Sequence, residues 1–328
     1  MCYKNKTIGI VIPAFNEERL IGDTLRSIPK YVDRVYVIDD CSKDKTAEIT
    51  QVFAKNDPRV TCISHEKNKG VGAAIITGYK KAMEDGVDIA AVMAGDNQMD
   101  PKHLPALLNP IVDGSADYTK GNRLLNAEFR KGMSKWRSFG NTILTFLTKM
   151  ASGYWQIMDP QNGYTAISTR ALERINPDSI YSWYGYCNDI LVKLNVFGFN
   201  VQDIIMPARY GTEKSKIKYS RYIFKVSWLL FTDFFWRLKT KYIWLNFHPL
   251  VLFYIFGILL TPISLLGFAY SLYFTFILGE SLFVNGVLSL LLLIIGLQSL
   301  FFAMLFDMQV SESDNLNILS NANYTANM

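Results

Sequence analysis

Two oxygen-bearing side chains follow an apolar run and could bind a cation. The run Val92–Ala94 is soon followed by the carboxylate of Asp96 and the amide of Gln98. In an extended chain, side chains two residues apart point to the same side, so both oxygens could meet one hard cation. The alternative is a polar loop that caps the next helix, which is our interpretation for Asp100 followed by Pro101.

Apolar segments alternate with helical segments around this motif. The predicted strands are Thr7–Pro13, Arg34–Ile38, Val60–Ser64, Ile89–Ala94, Asp117–Gly121, a strand ending at Ser168, and Asn200–Pro207. Such alternation predicts right-handed crossovers and an α/β fold with a mainly parallel sheet.

Three predicted strands end in polar groups: Asn16-Glu17, Asp39-Asp40 and Asp96 with Gln98. Parallel strands bring these groups to one edge of a sheet, where ligands bind in open α/β folds. This coincidence favours a nucleotide site over three solvated loops. Asn16 is also expected to cap the first helix. The segment Gly70–Gly72 lacks the third glycine of a dinucleotide fingerprint, so we discard an oxidoreductase.

The chain is strongly apolar beyond Pro249. Glu280 is the only charged residue in Leu250–Leu278, Leu282–Phe306 and the turn between them. Each of the two segments exceeds the roughly 20 apolar residues that span a bilayer. We predict two transmembrane helices rather than buried helices of a soluble protein. The aromatic and basic segment Ser220–His248 suits helices in the membrane interface, the alternative being a packed helix of the soluble domain.

Charges indicate the orientation of this hairpin. Arg237, Lys239 and Lys241 flank the first span and the turn carries neither Lys nor Arg, which predicts that both ends and the amino-terminal half face the cytoplasm. The net charge of +5 is too modest to indicate nucleic-acid binding. Small residues of the hairpin could support self-association as a homo-oligomer: Gly257, Gly286 and Gly296.

We therefore predict four regions: a cytoplasmic catalytic domain at 1–219, interfacial helices at 220–248, two transmembrane helices at 249–307, and a disordered polar tail at 308–328.

The chain resembles the inverting family-2 glycosyltransferases with the GT-A fold, and among them the polyprenyl-phosphate glycosyltransferases typified by dolichol-phosphate mannose synthase. The segments Val11–Glu18 and Ile38–Asp44 look like the family's two nucleotide-binding motifs. The resemblance implies nucleotide-sugar contacts from Pro13, Phe15, Glu17, Asp40 and Asp96.

The resemblance extends to the metal and acceptor sites. Asp96 and Gln98 match the family's metal motif, with Ala94 in place of its first aspartate, which implies Mg²⁺ or Mn²⁺ as cofactor. Arg123 and Arg137 match arginines that hold the acceptor lipid's phosphate, and Lys216 lies in an altered phosphate loop. Asp159 and Asp189, with Asp96, match acids of the catalytic site.

These matches predict sugar transfer from a UDP- or GDP-sugar to a polyprenyl or dolichyl phosphate of the bilayer, in a single inverting displacement. Two alternatives stay open. One is a membrane glycosyltransferase with a hydroxyl acceptor, which would need Asp159 or Asp189 as a base. The other is a protein that binds nucleotide sugars without catalysis, because Ala94 replaces an acid.

Overall fold

The computed structural model describes residues 3–123, 135–207, 219–279 and 283–326, with the side chains of 135–139, 219–221 and 312–326 excepted. The chain forms two compact units. One comprises Met1–Phe234 with Asp314–Met328, and the other Phe235–Ser313.

The first unit contains a seven-stranded sheet of order β3-β2-β1-β4-β6-β5-β7. The strands are β1 (Ile8–Ala14), β2 (Arg34–Asp39), β3 (Val60–Ser64), β4 (Ile89–Val92), β5 (Tyr118–Asn122), β6 (Thr165–Ser168) and β7 (Val201–Ile205). Only β6 runs antiparallel to its neighbours β4 and β5. The predicted mainly parallel α/β sheet is therefore confirmed.

At least one helix follows each strand along the chain. The helices are α1 (Ile21–Ser27), α2 (Thr46–Asn56), α3 (Val71–Glu84), α4 (Leu104–Val112), α5 (Lys135–Ser152), α6 (Thr169–Ile175), α7 (Tyr186–Val196), α8 (Tyr219–Lys239), α9 (Leu250–Ile277) and α10 (Phe283–Ala326). Short 3₁₀ turns lie at Pro101–His103 and Pro177–Ser179, and a π-helical turn at Thr240–Leu245.

The sheet is buried on both faces. In β1, Val11 packs into one apolar core, whereas Ile10 and Ile12 pack into the other, as expected for a parallel strand covered by helices. Helix α3 lies so close to β1 that a Cβ on Gly78 would stand 2.2 Å from a methyl carbon of Val11. A glycine is therefore required at this helix–strand contact.

The predicted capping role of Asn16 is wrong, whereas that of Asp100 is confirmed. Helix α1 begins only at Ile21 and has no side-chain cap. Asn16 has a φ of 57°, and its Oδ1 accepts a hydrogen bond from the Lys43 amide at 2.8 Å, so its side chain joins two loops instead. The Asp100 carboxylate accepts from the Lys102 amide, with Pro101 at the first helical position.

Helices α9 and α10 are long and apolar enough to cross a membrane, over Leu250–Ile277 and Phe283–Ser311. The polar tail after Asp307 was expected to be disordered, but α10 continues to Ala326. This tail contains neither proline nor glycine within the helix, so no residue interrupts the hydrogen-bond ladder that begins in the apolar part.

The three glycines expected to support self-association lie inside the hairpin. A Cβ on Gly257 would meet Leu300 at 2.5 Å, and one on Gly296 would meet Thr261 at 2.8 Å. Gly286 likewise faces Ser271 at 2.9 Å. These glycines bring α9 and α10 close together within one chain, and self-association stays a prediction.

The second unit also contains a buried ion pair. Arg237 and Asp307 are 0% and 1% exposed, and two guanidinium nitrogens lie 2.8 Å from the two carboxylate oxygens. The hydroxyl of Tyr242 donates to Asp307 at 2.5 Å. Arg237, which we had counted among the charges flanking the membrane, is thus neutralised by a partner in α10.

Breaking this pair should destabilise the second unit. Asp307→Asn leaves the buried Arg237 charge uncompensated, which typically costs about 3–5 kcal/mol, and we expect a melting temperature lower by about 5 °C or more in detergent. The double variant Arg237→Met/Asp307→Leu removes both charges and should recover most of the loss. A single variant as stable as the wild type would contradict this interpretation.

Candidate active site

The strand order gathers the predicted site residues at one edge. Because β6 is antiparallel to both β4 and β5, strands β1, β2, β4 and β5 all point the same way. The loop that enters β6 therefore lies at the edge where the other strands end. The residues brought there are Glu17, Asp40, Asp96, Arg123 and Asp159.

The loops after β1 and β2 are joined by side-chain hydrogen bonds. The Asn16 amide donates to the Ser42 hydroxyl at 2.9 Å, and the Glu17 amide donates to the Thr46 hydroxyl at 2.8 Å. Phe15, next to these bonds, is 39% exposed. Pro13 and Glu17 are half-buried. Direct hydrogen bonds thus join the loops that carry the two predicted nucleotide-binding motifs.

Asp40 is buried and holds the following loop. Its carboxylate accepts from the amides of Lys69 and Gly70 at 2.8 Å each, and from His65 Nδ1, also at 2.8 Å. The other ring nitrogen of His65 lies 3.0 Å from the Thr77 hydroxyl. Contact between Asp40 and a base stays a prediction, whereas its role in fixing residues 65–70 is direct. Sequence analysis missed His65, which carries no local motif.

The Asp96 and Gln98 segment is a tight turn, not the extended chain that we assumed. The backbone amide of Gln98 donates to Asp96 Oδ1 at 3.0 Å, and Asn97 between these residues has a φ of 56°. Both side chains are half-buried. Within the described residues no group of three His, Cys, Asp or Glu side chains could hold a metal ion. The oxygen donors fit a hard cation that completes its shell with water or substrate oxygens.

Asp159 and Arg123 form a bidentate pair at the same edge. The Asp159 carboxylate accepts from the Arg123 Nε at 2.8 Å, its Nη2 at 3.2 Å and its amide at 3.1 Å. Burial opposes ionisation of Asp159, but the charge and hydrogen bonds of Arg123 prevail and lower its pKa. The Arg123 side chain stays 40% exposed, so it can meet an anion while Asp159 fixes its orientation.

A buried network supports this pair from below. Lys120 is 0% exposed; its ammonium contacts the Asp159 carbonyl and lies 3.5 Å from Asp203 Oδ1. Asp203 Oδ2 accepts from Asn122 Nδ2 and from the Met158 amide, both at 2.8 Å. Sequence analysis missed Lys120 and Asp203, because only the β5–β7 register shows that they are opposite each other.

Asp189, a predicted catalytic acid, is only 1% exposed. One oxygen accepts from the Tyr181 amide at 2.6 Å, and the other pairs with Lys193. Burial raises its pKa despite the charge of Lys193. This carboxylate holds residue 181, and the predicted catalytic role of Asp189 stays a prediction.

The contacts above do not test two residues that are predicted to bind the acceptor phosphate. The backbone of Arg137 lies in the first turn of α5, but its side chain is outside the described residues, as is all of Lys216. Their phosphate-binding roles stay predictions.

The sheet and the polar edge together define a GT-A-type α/β enzyme. Residues 9–175 match the family model Glycosyl transferase family 2, and because this match covers more than half of the chain, the protein belongs to that family and is a glycosyltransferase.

Related proteins narrow the group. The chain is 33% identical over 210 residues to UDP-N-acetylglucosamine--dolichyl-phosphate N-acetylglucosaminyltransferase of Methanococcus voltae, covering 58% of this chain and 83% of the relative. It is 28% identical over 238 residues to dolichol-phosphate mannosyltransferase of Pyrococcus furiosus, covering 67% and 63%. These relatives are polyprenyl-phosphate glycosyltransferases by name.

A solved structure shares the fold. Glucosyl-3-phosphoglycerate synthase from Mycobacterium tuberculosis, in complex with Mn²⁺, uridine diphosphate and its product, gives a TM-score of 0.54 at 17% identity. The match covers 70% of this chain and 80% of that one. The GT-A-like fold is thereby confirmed.

The stability of the catalytic unit should depend on pH through Asp233 of α8. Burial and the charge of Asp189 raise its pKa to about 7, partly offset by Lys193. An acid with a raised pKa contributes stability below its unfolded pKa that is lost as pH rises through the folded pKa. Relative to Asp233→Asn, the wild type should lose about 1–3 kcal/mol between pH 4 and 7.5.

Melting temperatures of both proteins across this pH range test the expectation. Asp113→Asn, which changes an acid with 60% side-chain exposure, is the matched control and should follow the wild type. Parallel profiles for the wild type and Asp233→Asn would show that Asp233 titrates normally.

Proposed function

We propose that this enzyme transfers a sugar from a UDP- or GDP-linked donor to a polyprenyl or dolichyl phosphate, with inversion at the anomeric carbon. The observation that carries the proposal is the Arg123–Asp159 pair, which presents a half-exposed guanidinium at the sheet edge that also bears the nucleotide motifs. Guanidinium groups bind two phosphate oxygens together. The names of the relatives describe acceptors of this class.

Donor binding would use the connected loops after β1, β2 and β4. Pro13, Phe15 and Glu17 would contact the nucleoside, and Asp40 would act there directly or through the 65–70 loop. Asp96 and Gln98 would hold a divalent cation, Mg²⁺ or Mn²⁺, which when bound neutralises charge on the leaving diphosphate. Structures of the neighbour glucosyl-3-phosphoglycerate synthase are complexes with Mn²⁺ or Mg²⁺ and uridine diphosphate.

The acceptor phosphate needs no strong base. A phosphate monoester has its second pKa near about 6 and is mostly ionised at neutral pH. Asp159 has a lowered pKa and is committed to Arg123, so it would orient the guanidinium while a phosphate oxygen attacks the anomeric carbon. Arg137 and Lys216 would add positive charge at the same phosphate.

A hydroxyl acceptor is less well supported. Such an acceptor requires a general base within hydrogen-bond reach of the substrate. Asp159 is held ionised by Arg123, and the Asp189 carboxylate is buried with both oxygens hydrogen-bonded. The ionised phosphate acceptor therefore agrees better with these two carboxylates.

The carboxyl-terminal helices suit a lipid acceptor. Helix α8 exposes Phe224, Trp228 and Phe231 at 75%, 62% and 54%, as expected of a helix at the membrane interface. Anchoring by α9 and α10, with the catalytic unit on the cytoplasmic side, would keep the enzyme and its acceptor in the same bilayer.

The first test is sugar transfer to a polyprenyl phosphate in detergent from a panel of UDP- and GDP-sugars. Transfer should occur with one donor. It should disappear with EDTA, which removes the cation, and in Asp96→Ala, which removes a carboxylate ligand of the cation. Asp113→Asn serves as the control for loss of one surface acid. Transfer to a hydroxyl acceptor in place of the phosphate would contradict the proposal.

The second test concerns Arg123. Arg123→Lys keeps the charge but loses the bidentate geometry, so we expect a KM for polyprenyl phosphate raised by about ten-fold or more. The KM for the nucleotide sugar should change less than about two-fold. Arg26→Lys, which alters an exposed arginine paired with Asp23, is the matched control. An equal rise in both KM values would remove the phosphate assignment.

A further inference from the structure

Two exposed aromatic side chains lie on the segment between the Pro177–Ser179 turn and α7. Trp183 is 48% exposed and Tyr184 is 50% exposed. We call residues 181–185 the aromatic loop. Apolar groups exposed singly are common, so two adjacent exposed aromatic rings indicate a contact surface only where they lie beside a site.

The aromatic loop is fixed at several points. The buried carboxylate of Asp189 accepts from the Tyr181 amide at 2.6 Å, and the Ala73 amide at the start of α3 donates to the Ser182 carbonyl at 2.8 Å. A Cβ added to Gly72 would stand 2.4 Å from the Tyr181 carbonyl oxygen. The loop backbone therefore lies directly against the amino end of α3.

The same contacts place Trp183 beside the nucleotide motif. A Cβ on Gly70 would stand 2.9 Å from the Trp183 ring, and the Gly70 amide donates to the Asp40 carboxylate at 2.8 Å. One glycine thus separates the indole from Asp40. Its φ of 94° is strained for other residues, so both the backbone conformation and the space require glycine here.

Tyr184 follows Trp183 in the same loop. Burial, followed by the negative charges of Asp40 and Glu17, raises the pKa of its hydroxyl. The two carboxylates that act on the phenol belong to the loops after β1 and β2. Its ring nevertheless remains half exposed.

We propose that Trp183 and Tyr184 form an aromatic wall of the nucleoside subsite and contact the base and ribose of the bound nucleotide. This inference rests on the proposed function, since it assumes that the sheet edge binds a nucleotide sugar. An indole face stacks on any base, which is typically worth about 1–3 kcal/mol per base. The Tyr184 hydroxyl would add a polar group to this wall.

The arrangement also gives Asp189 a function that needs no proton transfer. Its carboxylate fixes the first amide of the aromatic loop, and its partner Lys193 lies one turn farther along α7. Asp189 is a positioning residue for the wall in this scheme. Gly70 and Gly72 complete the support from the side of α3.

The test measures nucleotide binding by the full chain in detergent, using UDP, GDP and UDP-N-acetylglucosamine as probes in calorimetric titrations. Trp183→Ala should weaken binding of the preferred nucleotide by about ten-fold or more. Tyr184→Phe should weaken it by about two- to five-fold through loss of the hydroxyl. The losses should be the same for UDP and its sugar derivative if uridine is preferred, because the wall contacts the nucleoside.

Controls separate the wall from general damage. Phe146→Ala removes an aromatic ring of equal 48% exposure from α5 and should bind like the wild type. Trp183→Phe retains a stacking ring, so it should bind within about three-fold of the wild type but lose most of the ligand-induced change in tryptophan fluorescence. This variant keeps the test valid if Trp183→Ala folds poorly.

The outcomes separate the aromatic wall from the proposed function. Unchanged nucleotide binding in Trp183→Ala and Tyr184→Phe, with a wild type that binds, overturns the aromatic wall and leaves the proposed function intact. A loss confined to the sugar nucleotide also overturns the nucleoside assignment. A folded wild type that binds none of the probes overturns the proposed function and the wall together.

Discussion

The reversed strand β6 decides how the catalytic half is built. It separates β4 from β5 and is antiparallel to both, which lets β5 keep the direction of the first four strands. A loop entering β6 consequently reaches the same edge as the loops leaving β1, β2 and β4. Without that reversal, Asp159 and Arg123 would not meet each other at the edge that carries Asp96.

Buried charges then fix the second half of this edge. Lys120 and Asp203 are opposite each other in β5 and β7, and together they hold the backbone around Met158 and Asp159. Buried ion pairs contribute little net stability because desolvation offsets their attraction. Lys120 and Asp203 contribute to the geometry of the site, because they hold the backbone that carries the Asp159 carboxylate. This carboxylate in turn orients Arg123. The Arg237–Asp307 pair has the same character in the second unit, where it joins α8 to α10.

Local patterns predicted the strands and the edge well. Continuous apolar runs located β1 to β4 to within two residues at each end, and the polar residues after them lie at the edge where the sequence predicts the site. Asn16 misled us because its type suits a helix cap as well as a loop bridge. The glycines of the hairpin are similarly ambiguous, since small residues permit close packing against any helix, including the neighbouring one.

Other features depend on contacts between distant segments. Lys120 looks like a surface lysine until the register with β7 is known, and His65 has no partner within its own segment. Trp183 and Tyr184 lie in a stretch with no periodic pattern, and only the fold brings Trp183 against Gly70. Sequence spacing cannot supply such pairings, because each needs the topology of the whole sheet.

The two acids first considered as bases show how environment assigns roles. Asp159 is buried beside a guanidinium, which lowers its pKa and keeps it charged, whereas Asp189 is buried with Lys193 and has a raised pKa. Both carboxylates are held by fixed donors, Asp159 by Arg123 and Asp189 by Lys193 and the Tyr181 amide. An acceptor that arrives already ionised requires orientation more than proton removal. The arrangement of these acids therefore agrees with a phosphate nucleophile, and it assigns their contribution to geometry.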